Sequence, residues 1–521
     1  MTDSVVSARG FPGRLFASVF AVLFVIMGAW SLATPIYAVP DEASHIVRAT
    51  AAARGEIVGD GKHFQAPGYL YIPGAGACFA GRPDTTPACV GTSPYGSGLR
   101  DTATAANTNS PVYYVAVGLP SLALSGPPAI FGMRLLSAAL TAALFAATAV
   151  LLRRLPGARW TLLLPLATIT PEAVFLGGAV NPNAVEMAAA GALFASLLVL
   201  ARVRPSGWAF GFAAATAVGS TAFVTGGRSL GLLWVVLAGV GVIALLRRDD
   251  WRALARRTST WIVLGLLALI GAAQLFWFTR PANGVQPLAQ PTPGSLITVA
   301  QNMVEKTFDY WRQMTGLFGT VDVPAPEGVQ TLWTALFVAL VVLPLVLGRG
   351  RARWVAAGFS AALLLVPVAT QVALWRQVGD VWQGRYMLAV LLLVAIAGGL
   401  ALDSAGRGLT RPSMDAVRAI LVLLAVGQFA AFAFTLRRYA VTDKSWPHFL
   451  FGPQWQPPGG TILLTLAVLA ALAFAVVSVW RALPLLAAEP QRTDRPPADQ
   501  GATHGGASVA TAFDSGSHRN S

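Results

Sequence analysis

The chain has 521 residues, of which 55% are hydrophobic and 12% charged, and its formal net charge is +14. Soluble domains carry about 25% charged residues, so the shortfall excludes an ordinary soluble protein and points to the membrane class. The basic excess does not indicate a nucleic-acid partner, because many of the arginines lie in short loops between apolar runs, where they encode orientation.

A bilayer core takes roughly 20 apolar residues per helix. In chain order the runs of that kind are 15–33, 129–152, 160–177, 183–203, 208–224, 229–246, 261–278, 331–347, 354–374, 386–402, 416–435 and 461–482. The fold expected is therefore an all-α polytopic integral membrane protein of about 12 transmembrane helices. A short N-terminus (1–14) precedes a membrane domain over 15–484, and a disordered tail rich in Pro, Gly, Ser and Thr follows over 485–521. The first run reads as an uncleaved anchor, although cleavage after Ala38 is the competing reading. The alternation places Arg153, Arg154, Arg159, Arg202, Arg204, the 247–257 cluster, 348–353 and the 407–418 cluster on one side. By the positive-inside rule that side is cytoplasmic, and both termini lie there.

Two extracytoplasmic loops are long, 34–128 and 279–330, and loops of this size are often functional. Pro40 ends the first span, and Asp41 and Glu42 then head a short amphipathic helix running to about Arg54. An Asp in that place is either a helix cap or a general base facing a membrane-embedded substrate. Cys78 and Cys89 are the only cysteines and fit one disulfide across a turn-rich segment, given an oxidising compartment. The stretch 111–124 is apolar but short and interrupted by Pro120, so it reads as interfacial or re-entrant, with Tyr113 and Tyr114 as aromatic-belt anchors.

Further along, Asn183 reads as the cap of the next helix, while Glu172 and Glu186 sit inside apolar runs near the outer surface. Ionisable groups at such depth usually face a partner or a wet cavity. Arg134, Arg228 and Arg385 each fall near the outer start of a span running outside to inside. The helix dipole is positive there and disfavours a cation, so an anion is expected beside each one: Glu172, Glu186, Asp322, Asp380 or a lipid phosphate. His45, His63 and His448 are scattered, and no cluster has metal-ligand spacing, though a divalent metal bridging a phosphate is compatible with the charges.

Five motifs in order carry a resemblance. Pro40-Asp41-Glu42-Ala43-Ser44-His45 with Arg48, Asn109-Ser110-Pro111-Val112-Tyr113-Tyr114, Asn181-Pro182-Asn183, Gly319-Thr320-Val321-Asp322-Val323-Pro324 and Gln383-Gly384-Arg385-Tyr386 resemble the bacterial membrane family called domain of unknown function 2142. That family is grouped with the type C glycosyltransferases. The resemblance implies a bacterial plasma-membrane enzyme that takes a sugar from a polyprenyl-phosphate donor. It would transfer the sugar to an envelope glycan or protein acceptor on the extracytoplasmic face. It also implies that Asp41 first, and Glu42 second, stand at the catalytic position. The phosphate would then fall to Arg134, Arg228 and Arg385, supported by Glu172 and Asp322. Two other classes compete: a transporter or flippase for a lipid-linked glycan, and a non-catalytic envelope-assembly protein.

Overall fold

The structure is a computed structural model, and it describes residues 12–280 and 292–488. Residues 281–291 of the second long loop, most of the N-terminus assigned to 1–14 and nearly all of the tail assigned to 485–521 lie outside the described residues. The last helix, Thr461–Ala488, runs slightly past the expected start of that tail.

Apolar helices dominate. Among the described residues ten are long and apolar enough to cross a membrane, and the number is up to twelve if each of two bent pairs is one span. Those ten to twelve compare with the twelve expected, and the two bent pairs are the irregularities. The third span is Trp160–Thr168 followed by Pro171–Gly177 at 74°. The break falls where Thr170 caps the second piece, its hydroxyl accepting from the Ala173 amide at 3.0 Å, and Pro171 fills the first helical position. The sixth is only Leu230–Leu245, after which the charged helix Arg248–Ala255 turns off at 114°.

Burial orders the bundle. In the most apolar 18 residues of the fourth span (Pro182–Val203) and of the tenth (Gly384–Ser404) 89% of the residues are buried, whereas in the seventh (Thr258–Thr279) 11% are. The first two form the centre, and the seventh turns side chains such as Leu269 and Phe276 outward, as a lipid-facing helix must. The first span (Gly13–Ala33) packs on the second (Gly126–Leu152) and on the third. It passes close to Gly178, where a Cβ would stand 2.4 Å from the Met27 carbonyl oxygen and 2.9 Å from the Ser31 nitrogen.

Cross-links between distant segments sort the loops onto two sides. On one, Asp403 accepts from the amides of Arg159, Trp160 and Thr161, and Arg351 bonds the Leu246 carbonyl. On the other, the first long loop meets the start of the tenth span and the end of the eleventh (Arg411–Ala440), where Arg438 donates to the carbonyls of Phe79, Arg82 and Thr85.

The first long loop is itself folded. Helix Glu42–Ala53 is followed by an antiparallel pair, His63–Pro67 with Leu99–Ala103, and a disulfide joins Cys78 to Cys89. Short helices Pro111–Gly118 and Pro120–Ala123 complete it, neither long enough to cross a bilayer. Helix 111–118 lies flat on helix 42–53: a Cβ on Gly118 would be 2.1 Å from the Ala49 carbonyl oxygen. Tyr113 and Tyr114 are consequently fully buried rather than set in an aromatic belt. A phenol sealed this way needs a polar partner, and Tyr113 finds the Ser137 hydroxyl at 3.0 Å.

Candidate functional site

The site begins where the first span ends. Asp41 occupies the capping position of helix 42–53 in the left-handed region, at φ 61°, and its carboxylate makes no capping bond. This conformation costs a non-glycine residue of order 1–3 kcal/mol and is held only by surrounding structure. The carboxylate turns away from its own helix and pairs with Arg385, 344 residues on. Asp41 remains 55% exposed while the Arg385 side chain is 4% exposed, so the carboxylate is reachable and its cation is not.

Arg385 comes from the one-turn helix Gly384–Met387 that opens the tenth span. The Gln313 side chain fixes that turn by accepting from the Gly384 amide at 2.7 Å. Arg385 Nε is buried without a hydrogen-bond partner among the described residues. Its guanidinium carbon lies 5.5 Å from the centre of the Tyr386 ring, and that of Arg228 lies 4.0 Å from the same ring. Two cations therefore share one aromatic ring, which favours a cation at its face. Arg228 also donates to the Asn183 side-chain oxygen at 3.2 Å.

Asn183 was expected to cap the fourth span, but Asn181 does so: its oxygen accepts from the Asn183 amide at 3.1 Å and from the Asn183 side chain at 2.8 Å. With Pro182 at the first helical position, the cap moves back to the residue before the proline. That shift frees Asn183 to face Arg228. One turn further along lies Glu186, buried, with Oε1 unpartnered among the described residues. The Gly227 backbone passes so close that a Cβ there would sit 2.9 Å from Oε1.

The other charged residues singled out from the sequence are tied into the scaffold. Glu42 and Arg134 are both fully buried and bond in a fork, Arg134 Nε giving 2.7 Å and Nη2 2.5 Å. The rest of the guanidinium donates to the carbonyls of Ser31, Thr34 and Pro35 at 2.7–3.0 Å. All five N–H donors are thus engaged, and the anion beside Arg134 is Glu42, which was not among the anions expected there. Glu172 accepts from the Leu317 amide at 3.0 Å. Asp322 accepts from the amides of Gly81 at 2.7 Å and Thr320 at 2.8 Å, joining the two long loops. Asp380 pairs with Lys306 at 3.4 Å rather than with any of the three arginines.

His45 shares this neighbourhood, and Asp41, Arg228 and Arg385 are the charges that act on its ring. It lies one helical turn after Asp41, on the same face, and its amide bonds the Asp41 carbonyl at 3.1 Å. Nδ1 is 2.8 Å from the Tyr114 hydroxyl, which also receives the Asn109 side chain at 2.8 Å. Burial above all, with the Arg228 and Arg385 charges adding to it, pushes the imidazole down to about 3 against the pull of Asp41, so the ring is neutral at pH 7. The signal available in the sequence was the i, i+4 spacing from Asp41. Among the described residues no group of three or more His, Cys, Asp or Glu side chains could hold a metal ion.

No curated protein matches the chain. It is similar to two crystal structures of ArnT from Cupriavidus metallidurans, one bound to undecaprenyl phosphate and one in the apo state. Both are 15% identical at a TM-score of 0.46, with 92% of this chain covered and 77% and 76% of those chains, a likeness too distant to transfer residue roles. The family described as "Predicted membrane protein (DUF2142)" matches residues 24–394, and the chain belongs to that family.

Proposed function

We propose that the protein is a glycosyltransferase of the bacterial plasma membrane. It moves a sugar from a polyprenyl-phosphate donor to an envelope glycan or protein on the extracytoplasmic face. The observation that carries this reading is the Asp41–Arg385 pair, a strained, exposed carboxylate beside a buried cation. Arg228 sits over the same tyrosine ring as Arg385. A lipid phosphate lies at headgroup depth, where the ends of the first and tenth spans bring these groups. With the arginine-rich loops in the cytoplasm, both termini are cytoplasmic and the site opens outward.

In the reaction the acceptor hydroxyl attacks the anomeric carbon, and its proton passes to the Asp41 carboxylate. The bond between the anomeric carbon and the phosphate oxygen breaks, and the polyprenyl phosphate leaves with the electron pair. It gains negative charge as it does so. Arg228 and Arg385 face that charge from fixed positions, so they stabilise the transition state without reorganising. Glu42 and Arg134, with every donor engaged, hold the end of the first span against the second and so set where Asp41 stands. Glu172 and Asp322 brace the short hairpin of the second loop, in which Leu317–Phe318 pairs antiparallel with Val323–Pro324.

The test is a strain lacking the gene. We expect its envelope to lose one sugar and its membranes to accumulate that sugar on a polyprenyl phosphate, with both changes reversed by the wild-type gene. An unchanged envelope and an unchanged lipid-linked pool would overturn the proposal. Accumulation confined to the cytoplasmic leaflet would favour a flippase.

A further inference from the structure

Polar groups around the Asp41–Arg385 pair that the proposed transfer does not use are His45, Tyr114, Asn109 and Glu186. The first three form a chain whose proton arrangement follows from counting donors and acceptors. Asn109 Nδ2 donates to the Tyr114 hydroxyl oxygen, so the Tyr114 proton is free to go elsewhere. The acceptor within reach is His45 Nδ1, at 2.8 Å. A neutral imidazole that accepts at Nδ1 carries its proton on Nε2. The ring is stacked along Tyr114, centroids 5.8 Å apart, which limits its rotation. No group among the described residues takes Nε2, and the charges whose fields reach the ring are Asp41, Arg228 and Arg385.

We propose that His45 is a binding residue for the donor's phosphate, presenting a fixed, uncharged Nε2–H to a phosphate oxygen held between Arg228 and Arg385. This rests on the lipid-phosphate reading of the same site. Its chemical point is selectivity within the site: a third cation there would compete for Asp41, whereas a neutral donor binds the phosphate and leaves the carboxylate free to accept a proton. Tyr114 and Asn109 act through His45 and are positioning residues.

Two substitutions separate the ring nitrogens. Asn places its amide near Nδ1 and drops the far donor; Gln reaches to Nε2 and keeps one. Binding of a polyprenyl monophosphate to purified protein in lipid nanodiscs should weaken about tenfold for His45→Asn. For His45→Gln it should stay within about threefold of wild type, and Tyr114→Phe should fall between them. Nitrogen-15 spectra of histidine-labelled protein should show one of the five histidines that stays protonated at Nε2 and bare at Nδ1 as the pH is lowered from 7 to about 5, where exposed histidines take up a second proton. That signal should vanish in His45→Asn. Melting temperatures of the variants identify any that fail to fold, and the spectrum of the wild type tests the tautomer without a variant. If wild type binds the lipid phosphate and His45→Asn binds equally well, or if the tautomer is reversed, the role of His45 falls while the transferase reading stands. If wild type binds no lipid phosphate, the donor class itself fails and this inference with it.

Discussion

Replacing Arg134 by Met separates scaffold from chemistry most sharply. The change keeps an apolar stem of similar length and removes the guanidinium. Glu42, fully buried, then loses its cation, and the carbonyls of Ser31, Thr34 and Pro35 lose their donor. Removing one partner of a buried ion pair costs about 4 kcal/mol, and the orphaned carbonyls add to that. Total stabilities of folded proteins run from about 5 to 15 kcal/mol, so the variant should lie near the edge of folding. Detergent-solubilised protein should melt many degrees lower and elute partly aggregated. Adding Glu42→Gln removes the uncompensated charge and should recover a measurable part of the loss, which a double-mutant cycle reads as coupling between the two sites. A single Arg134→Met protein that accumulates and melts like wild type would refute the assignment of this pair to the scaffold.

Three further outcomes follow from other parts of the structure. Gly178→Ala pushes a methyl group against the Met27 carbonyl and should cost roughly 1–3 kcal/mol through displacement of the first span, visible as a lower melting temperature. Reducing the Cys78–Cys89 disulfide, whose cysteines are 11 positions apart, removes about 3 kcal/mol of loop constraint. Because Arg438 also grips that loop through three carbonyls, the effect should appear as local protease sensitivity rather than loss of the bundle. His45 binds its proton only near pH 3 when folded, against 6.5 when unfolded, so the unfolded state holds more protons between those values. Stability should therefore fall as pH drops from 6.5 towards 3, by at most about 1.4 kcal/mol per unit from this residue, and the His45→Gln variant should show a flatter slope.

The spans were legible because the bilayer imposes a length and a polarity that a sequence displays directly. The break in the third span was marked by Thr170-Pro171, a cap and a first-turn proline, but its apolar flanks read as one continuous run. Pairings were not legible. Three arginines at outer helix ends announced a need for anions, yet Asp41 lies 344 residues from Arg385 and Glu42 lies 92 from Arg134. Separation along the chain says nothing about which ends meet. Tyr113 and Tyr114 were misplaced for a related reason. An aromatic pair in an apolar stretch looks the same whether it faces headgroups or a folded loop, and here helix 42–53 covers it. His45 shows no metal-ligand spacing in the sequence, and only the fold reveals that its partner is the Tyr114 phenol, itself held by the Asn109 amide.

In the proposed transfer Asp41, and not Glu42, is the reactive carboxylate. The decisive experiment complements the deletion strain with Asp41→Asn at wild-type protein level and measures the envelope sugar. Asn keeps an oxygen that accepts from Arg385 and tolerates the left-handed backbone at this position, so the variant should fold and accumulate, leave the sugar absent, and let the lipid-linked donor build up. Full restoration of the sugar by Asp41→Asn would show that the Asp41 carboxylate is not the base.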